Sequence, residues 1–214
     1  MSSIYIHIPD VFDLNLKRKI ESAIFTEIDL RHNELNEKLI QSIYIKSPKK
    51  KLLSSNFLES LISRLKNYFL FNNELEITLE LDIENIKIKN LHKICKTKVN
   101  RLSCRTYSLF YNNFSDKKLN NLFFKKINLI STFYKSYSID LIFGIPNLSN
   151  ETLDTFLNKL NKNGINHITL EEFNYRPNKV SYKEKSFDKS LVIDQYNFCC
   201  DKLFEYGFEQ YEYL

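Results

Sequence analysis

The 214-residue sequence predicts an α/β fold: six apolar strands separated by amphipathic helices, paired in parallel through right-handed crossovers. Three observations predict it. Stretches of period-two alternation recur between stretches with helical spacing, and no run is long or apolar enough to cross a bilayer. Six strands are also too few for a closed eight-stranded barrel, so the expected architecture is a partial (β/α)6 barrel, a parallel sheet with outer helices.

The first strand is SIYIHIP, residues 3–9, where isoleucine and tyrosine alternate with small or polar residues. Pro9 lacks an amide donor and ends the ladder. Leu16, Ile20, Ala23, Ile24 and Ile28 then fall at helical spacing, with Asp13 placed to accept the free amides of the first turn. A short strand over 40–45 precedes a second helix, whose stripe is Phe57, Leu58, Leu61, Ile62 and Leu65 after Ser54 and Ser55. A third strand over 75–81 sets Ile77, Leu79 and Leu81 on one side and Thr78 and Glu80 on the other.

A weaker helix over 86–94 leads to a strand over 101–104, a helix over 119–130 and a strand over 137–145 that breaks at Gly144 and Pro146. Leu153, Phe156, Leu157 and Leu160 mark the next helix, capped by Ser149 or Asn150 and followed by Gly164. The sixth strand spans 168–173. After a polar stretch without a period, a last helix over 191–206 stops at Gly207.

Composition restricts the function. Apolar residues make up 43% and charged residues 27%, a globular balance expected to form one domain over 1–214. The net charge of +5 comes from 31 basic and 26 acidic residues spread along the chain, so nucleic acid is not an expected partner. Neither is a membrane. MSSIYIHIP runs straight into a strand, with no basic segment before an apolar one, so a cytoplasmic location is expected. Cys95, Cys104, Cys199 and Cys200 lack the paired spacing of a zinc site, and most of them read as buried thiols. Cys199 and Cys200 are adjacent on a helix and point about 100° apart, which suits packing better than shared ligation.

Several segments resemble the radical S-adenosylmethionine family of oxygen-independent coproporphyrinogen III oxidases and HemW-type heme chaperones. These are SIYIHIP (3–9), EITLE (76–80), VNRLS (99–103), SIDLIFGIP (138–146), HITLEEF (167–173) and GFEQYE (207–212). In order and spacing they cover nearly the whole chain. The resemblance implies the same open barrel, and it implies cofactor contacts at Tyr5, Glu80 and Asp140. Each has a structural alternative: packing with a satisfied hydroxyl for Tyr5, and capping of the barrel rim for the two carboxylates. His7 and His167 read as hydrogen-bonded structural histidines, and Lys49 to Lys51 and the basic stretch from Lys87 to Lys98 as solvated surface.

The departures fall on the chemistry. The family's reaction needs S-adenosylmethionine and a 4Fe-4S cluster held by three thiolates in the loop after the first strand. Here that loop reads Asp10-Val11-Phe12-Asp13, and no cysteine precedes Cys95. No bound cofactor or metal is therefore expected. The family's GGGTPS aligns with residues 46–51, KSPKKK, whose side chains occupy space that glycine leaves to the cofactor. The family's GVQS reads Arg105-Thr106-Tyr107-Ser108, without the glutamine. The resemblance also implies a further C-terminal domain, which the sequence does not include.

The expected function is that of a degenerate relative, a pseudoenzyme that at most binds heme, another tetrapyrrole or S-adenosylmethionine at a mouth lined by Tyr5, Glu80, Tyr107 and Asp140. A second reading keeps the family's chemistry, that of a heme chaperone or an oxidoreductase of the coproporphyrinogen dehydrogenase type, with Cys104 as a recruited thiol. A third is a non-catalytic interaction module, whose protein partner covers apolar surface left bare by the missing region.

Overall fold

The computed structural model describes residues 2–10, 13–35, 39–48, 53–106, 117–146, 148–173 and 189–212. Their elements alternate as the sequence predicts. They are β1 (Ser2–His7), α1 (Leu14–Arg31), β2 (Leu39–Lys46), α2 (Ser55–Tyr68), β3 (Leu70–Asp82), α3 (Ile88–Ile94), β4 (Arg101–Arg105), α4 (Lys117–Phe133), β5 (Ser136–Phe143), α5 (Asn150–Lys162), β6 (Ile168–Glu172) and α6 (Lys189–Glu205). A 3₁₀ turn, His32–Leu35, follows α1. The sheet order equals the chain order, β1 to β6. The pairs β1–β2, β2–β3, β3–β4 and β5–β6 are parallel. No described helix is long and apolar enough to cross a membrane.

Short polar side chains start α1, α2 and α5. Asp13 accepts from Asn15 N at 2.9 Å, Ser54 from Phe57 N at 3.1 Å and Ser149 from Thr152 N at 3.2 Å. Ser149, rather than Asn150, is thus the cap of α5. The start of α3 has no side-chain cap, in keeping with its weak sequence pattern.

β3 begins at Leu70, five residues before the expected start at 75, for a local reason. Leu70 and Phe71 pair with Leu39 and Ile40, and regular pairing resumes only at Ser42 with Glu76. Between them Asn72 Oδ1 accepts from Glu74 N at 3.2 Å, a turn-like bond that interrupts the alternation without ending the strand.

The chain forms two compact units. Unit 1 comprises Met1–Arg105 and Leu129–Tyr137, and unit 2 comprises Thr106–Asn128 and Ser138–Leu214. In unit 1, Ile43, Ile45, Ile77, Leu79, Leu81, Leu102 and Cys104 share one face of β2–β4, and all are buried. With the stripe Phe57, Leu58, Leu61, Ile62 and Leu65 of α2 they make its core. Removing each such aliphatic side chain from water stabilises the fold by about 1.5–3 kcal/mol.

Unit 2 is built around Leu141 of β5, Leu153, Phe156, Leu157 and Leu160 of α5 and Phe123 of α4, whose ring lies 5.5 Å from that of Phe156. The backbone after β5 is also fixed. Gly144 has φ +77°, and a Cβ there would lie 3.0 Å from Val192 Cγ2, so both conformation and space call for glycine. Gln195 of α6, fully buried, accepts from Gly144 N at 2.7 Å and donates to Leu148 O at 2.6 Å.

Candidate functional site

The opposite face of β1–β4 is polar. Alternation and register set Tyr5, Tyr44, Thr78 and Arg101 in one row, and His7, Lys46, Glu80 and Ser103 in the next. Asp82 and Arg105 follow at the ends of β3 and β4.

Glu80 is the centre of this face. It is 3% exposed, and Arg105 Nη1 lies 2.8 Å and Lys46 Nζ 3.3 Å from its Oε1. Tyr44 Oη donates to its Oε2 at 2.9 Å and also lies 3.4 Å from Ser103 Oγ. A carboxylate buried alone costs several kcal/mol, and these three groups offset that cost. Arg105 is itself 5% exposed, with its Nη2 donating to Ser47 O at 3.3 Å. Two cations therefore bear on one carboxylate.

Tyr5 takes a different place from the packed one that its strand position favours. It is 61% exposed, and its ring stacks on Tyr44 with centroids 5.7 Å apart and planes at 18°. The structure thus joins Tyr5 to Glu80 through Tyr44. His7 is exposed at the end of β1.

Asp140 belongs to unit 2 and is 3% exposed. Its carboxylate accepts from Ser138 Oγ at 3.2 Å. Its carbonyl accepts from Thr106 N at 3.2 Å and Oγ1 at 2.8 Å, so this residue organises backbone as well as carrying charge. His167 Nε2 lies 2.8 Å from Tyr211 Oη, the hydrogen-bonded structural role expected for it. Tyr107 and Lys49 to Lys51 lie outside the described residues.

The residues present do not fit an iron-sulfur cluster. The segment after β1 encodes no thiol. Cys104, the candidate for recruitment, is fully buried on the apolar face beside Leu81 in register, turned away from Glu80. Burial pushes the Cys199 thiol up to about 12, and it also raises the Cys95 thiol despite the hydroxyl of Tyr134 beside it. Thiols of this kind are poor ligands because the thiolate is the donor. Among the described residues no three His, Cys, Asp or Glu side chains converge as a metal site.

Lys46 and Arg105 stand out in the sequence only as bulky residues where the resembling family has glycine. Their convergence on Glu80 depends on strand register.

No family model matches the chain. It is 24% identical over 202 residues to the heme chaperone HemW of Buchnera aphidicola subsp. Schizaphis graminum, covering 86% of this chain and 53% of the other. To the putative heme chaperone HemW-like protein of Buchnera aphidicola subsp. Baizongia pistaciae it is 26% identical over 178 residues, 77% of this chain and 46% of that one. The chain spans about half the length of the curated relatives that it matches. Among solved structures it is similar to the coproporphyrinogen III oxidase HemN of Escherichia coli, a radical SAM enzyme, with TM-score 0.77 and 19% identity over 97% of this chain and 53% of that one. That likeness shows the fold, a partial barrel of parallel strands with helices.

Proposed function

We propose, from a chain that is HemW/HemN-like at low identity, a non-catalytic role in heme metabolism: binding of heme or another tetrapyrrole without radical chemistry. The observation that carries this reading is the state of Glu80. Its carboxylate is already engaged by Arg105 and Lys46, leaving little charge for the amino group of S-adenosylmethionine. The absence of thiols after β1 favours the same conclusion. Beside Glu80, the exposed ring of Tyr5 on Tyr44 offers a flat aromatic surface, and Lys46 offers a cation at its edge. A planar macrocycle with acidic substituents suits that pairing. The names of the Buchnera relatives support heme as the first tetrapyrrole to test.

Titration of the full chain with heme, followed by its visible absorption, should saturate near one heme per chain, whereas calorimetry with S-adenosylmethionine should give no saturable heat. Anaerobic reconstitution followed by elemental analysis should find no stoichiometric iron. About four irons per chain with a charge-transfer band would overturn the reading in favour of an active radical enzyme.

A further inference from the structure

We propose that Lys46, Ser47 and Arg105 form a carboxylate-binding site in unit 1, with Glu80 as its fixed counter-ion. The site lies on the same polar face as the proposed tetrapyrrole surface, and it rests on that reading only for the source of the carboxylate.

Two buried donors carry the inference. Arg105 Nε and Ser47 Oγ have no hydrogen-bond partner among the described residues, and the two residues are 5% and 3% exposed. The bond from Arg105 Nη2 to Ser47 O holds them together. A buried donor left unpaired costs about 1–3 kcal/mol, more when charged, so an acceptor arriving there is strongly favoured. Guanidinium nitrogens are always donors, so the ligand must supply acceptor oxygens. The ion pair with Glu80 lies on the Nη1 side, which leaves the Nε side of the guanidinium for a second planar carboxylate.

Lys46 and Arg105 both pair with Glu80, and the Asp82 carboxylate also acts electrostatically on Arg105, so the preference for an anion rests on the unpaired donors of Arg105 and Ser47 and on Lys46 at the solvent side. Asp82 neighbours Arg105 in register, but its carboxylate accepts from Glu84 N at 3.2 Å and Asn85 Nδ2 at 2.7 Å, which keeps it in its own turn. Lys46, with its side chain 32% exposed, gives the ligand a charged approach from solvent.

Propionate is the probe, with propionamide as its neutral counterpart at constant ionic strength. In the ¹⁵N-labelled full chain, propionate should move the Arg105 Nε–H signal saturably and propionamide should not. Lys46→Gln should weaken propionate roughly fivefold, the scale of one part-exposed charge pair. Glu80→Gln, which removes the competing carboxylate, should tighten it by about as much or more. The wild-type chain and Lys46→Gln decide the matter even if Glu80→Gln fails to fold. Absence of a saturable shift, or equal affinity in wild type and Lys46→Gln, overturns the site.

Heme and its dimethyl ester identify the source. Weaker binding of the ester assigns the site to a tetrapyrrole's acid groups, and equal binding assigns it to a smaller carboxylate. Propionate binding without heme binding would sink the tetrapyrrole reading and keep this site. Heme binding with no saturable propionate shift at Arg105 Nε would do the reverse.

Discussion

The two faces of β2–β4 in unit 1 alternate residue by residue, yet they are built on opposite principles. On one, Ile43, Ile45, Leu79, Leu81 and Leu102 are wholly buried aliphatic side chains. On the other, Tyr44, Lys46, Glu80, Ser103 and Arg105 form a network in which charge is buried only because partners were supplied for it. Aliphatic packing is tolerant of sequence and contributes stability in proportion to area. A buried ion cluster contributes little net stability but punishes the loss of any member, so its composition reports on chemistry more than on folding.

The largest contrast should appear in single truncations. Leu79→Ala, on the fully buried face, should destabilise the chain by about 3–5 kcal/mol, seen as a lower urea midpoint at unchanged slope. Arg105→Met should cost about 2–3 kcal/mol, because among the described residues Glu80 then keeps Lys46 and Tyr44 as partners. If the cluster is a pairwise device, the double variant Glu80→Leu with Arg105→Met should recover much of that loss. Equal or additive losses would show that the polar face is held by packing instead.

Thiol chemistry offers a further break point. Cys199, with its thiol pushed up to about 12, should react with iodoacetamide at about pH 8 roughly a thousandfold more slowly in the native chain than in urea. Cys104 should be similarly protected by burial on the apolar face. Rapid native labelling of Cys104 would place it within reach of the polar side and reopen the possibility of a recruited ligand.

The smallest effect concerns surface charge. The Arg64 guanidinium bonded to Asp29 holds that carboxyl below the usual carboxylate range, joining α1 to α2. A depressed acid contributes stability that is present above its unfolded value, near pH 4, and is lost as pH falls through its folded value. Asp29→Asn should therefore lower stability slightly at neutral pH, by the small amount expected of an exposed pair, and converge with the wild type as pH falls through the folded value, which flattens the curve on the acid side of about pH 4.

Much of the scaffold was legible because it rests on local rules. The stripe of α2 is buried at the five expected positions, the cap at Asp13 is where the spacing puts it, and Gly207 follows the last helix. Where local rules conflicted, legibility stopped. Asn72 and its neighbours hid the first half of β3, whose pairing with β2 outweighs their poor strand preference. Tyr5 shows the same limit, since alternation gives its face of the strand but not its 61% exposure.

The sequence by itself determined the alternation of strand and helix, the apolar side of each, the resemblance of its motifs, and the lack of thiols after the first strand. All of these follow from residue type and spacing along one segment. Only the tertiary structure decided what Glu80 meets. Lys46 and Arg105 lie 34 and 25 positions from it in the chain, and parallel register alone brings their charges to its carboxylate. Register is a property of paired strands, so no single stretch could have disclosed that meeting.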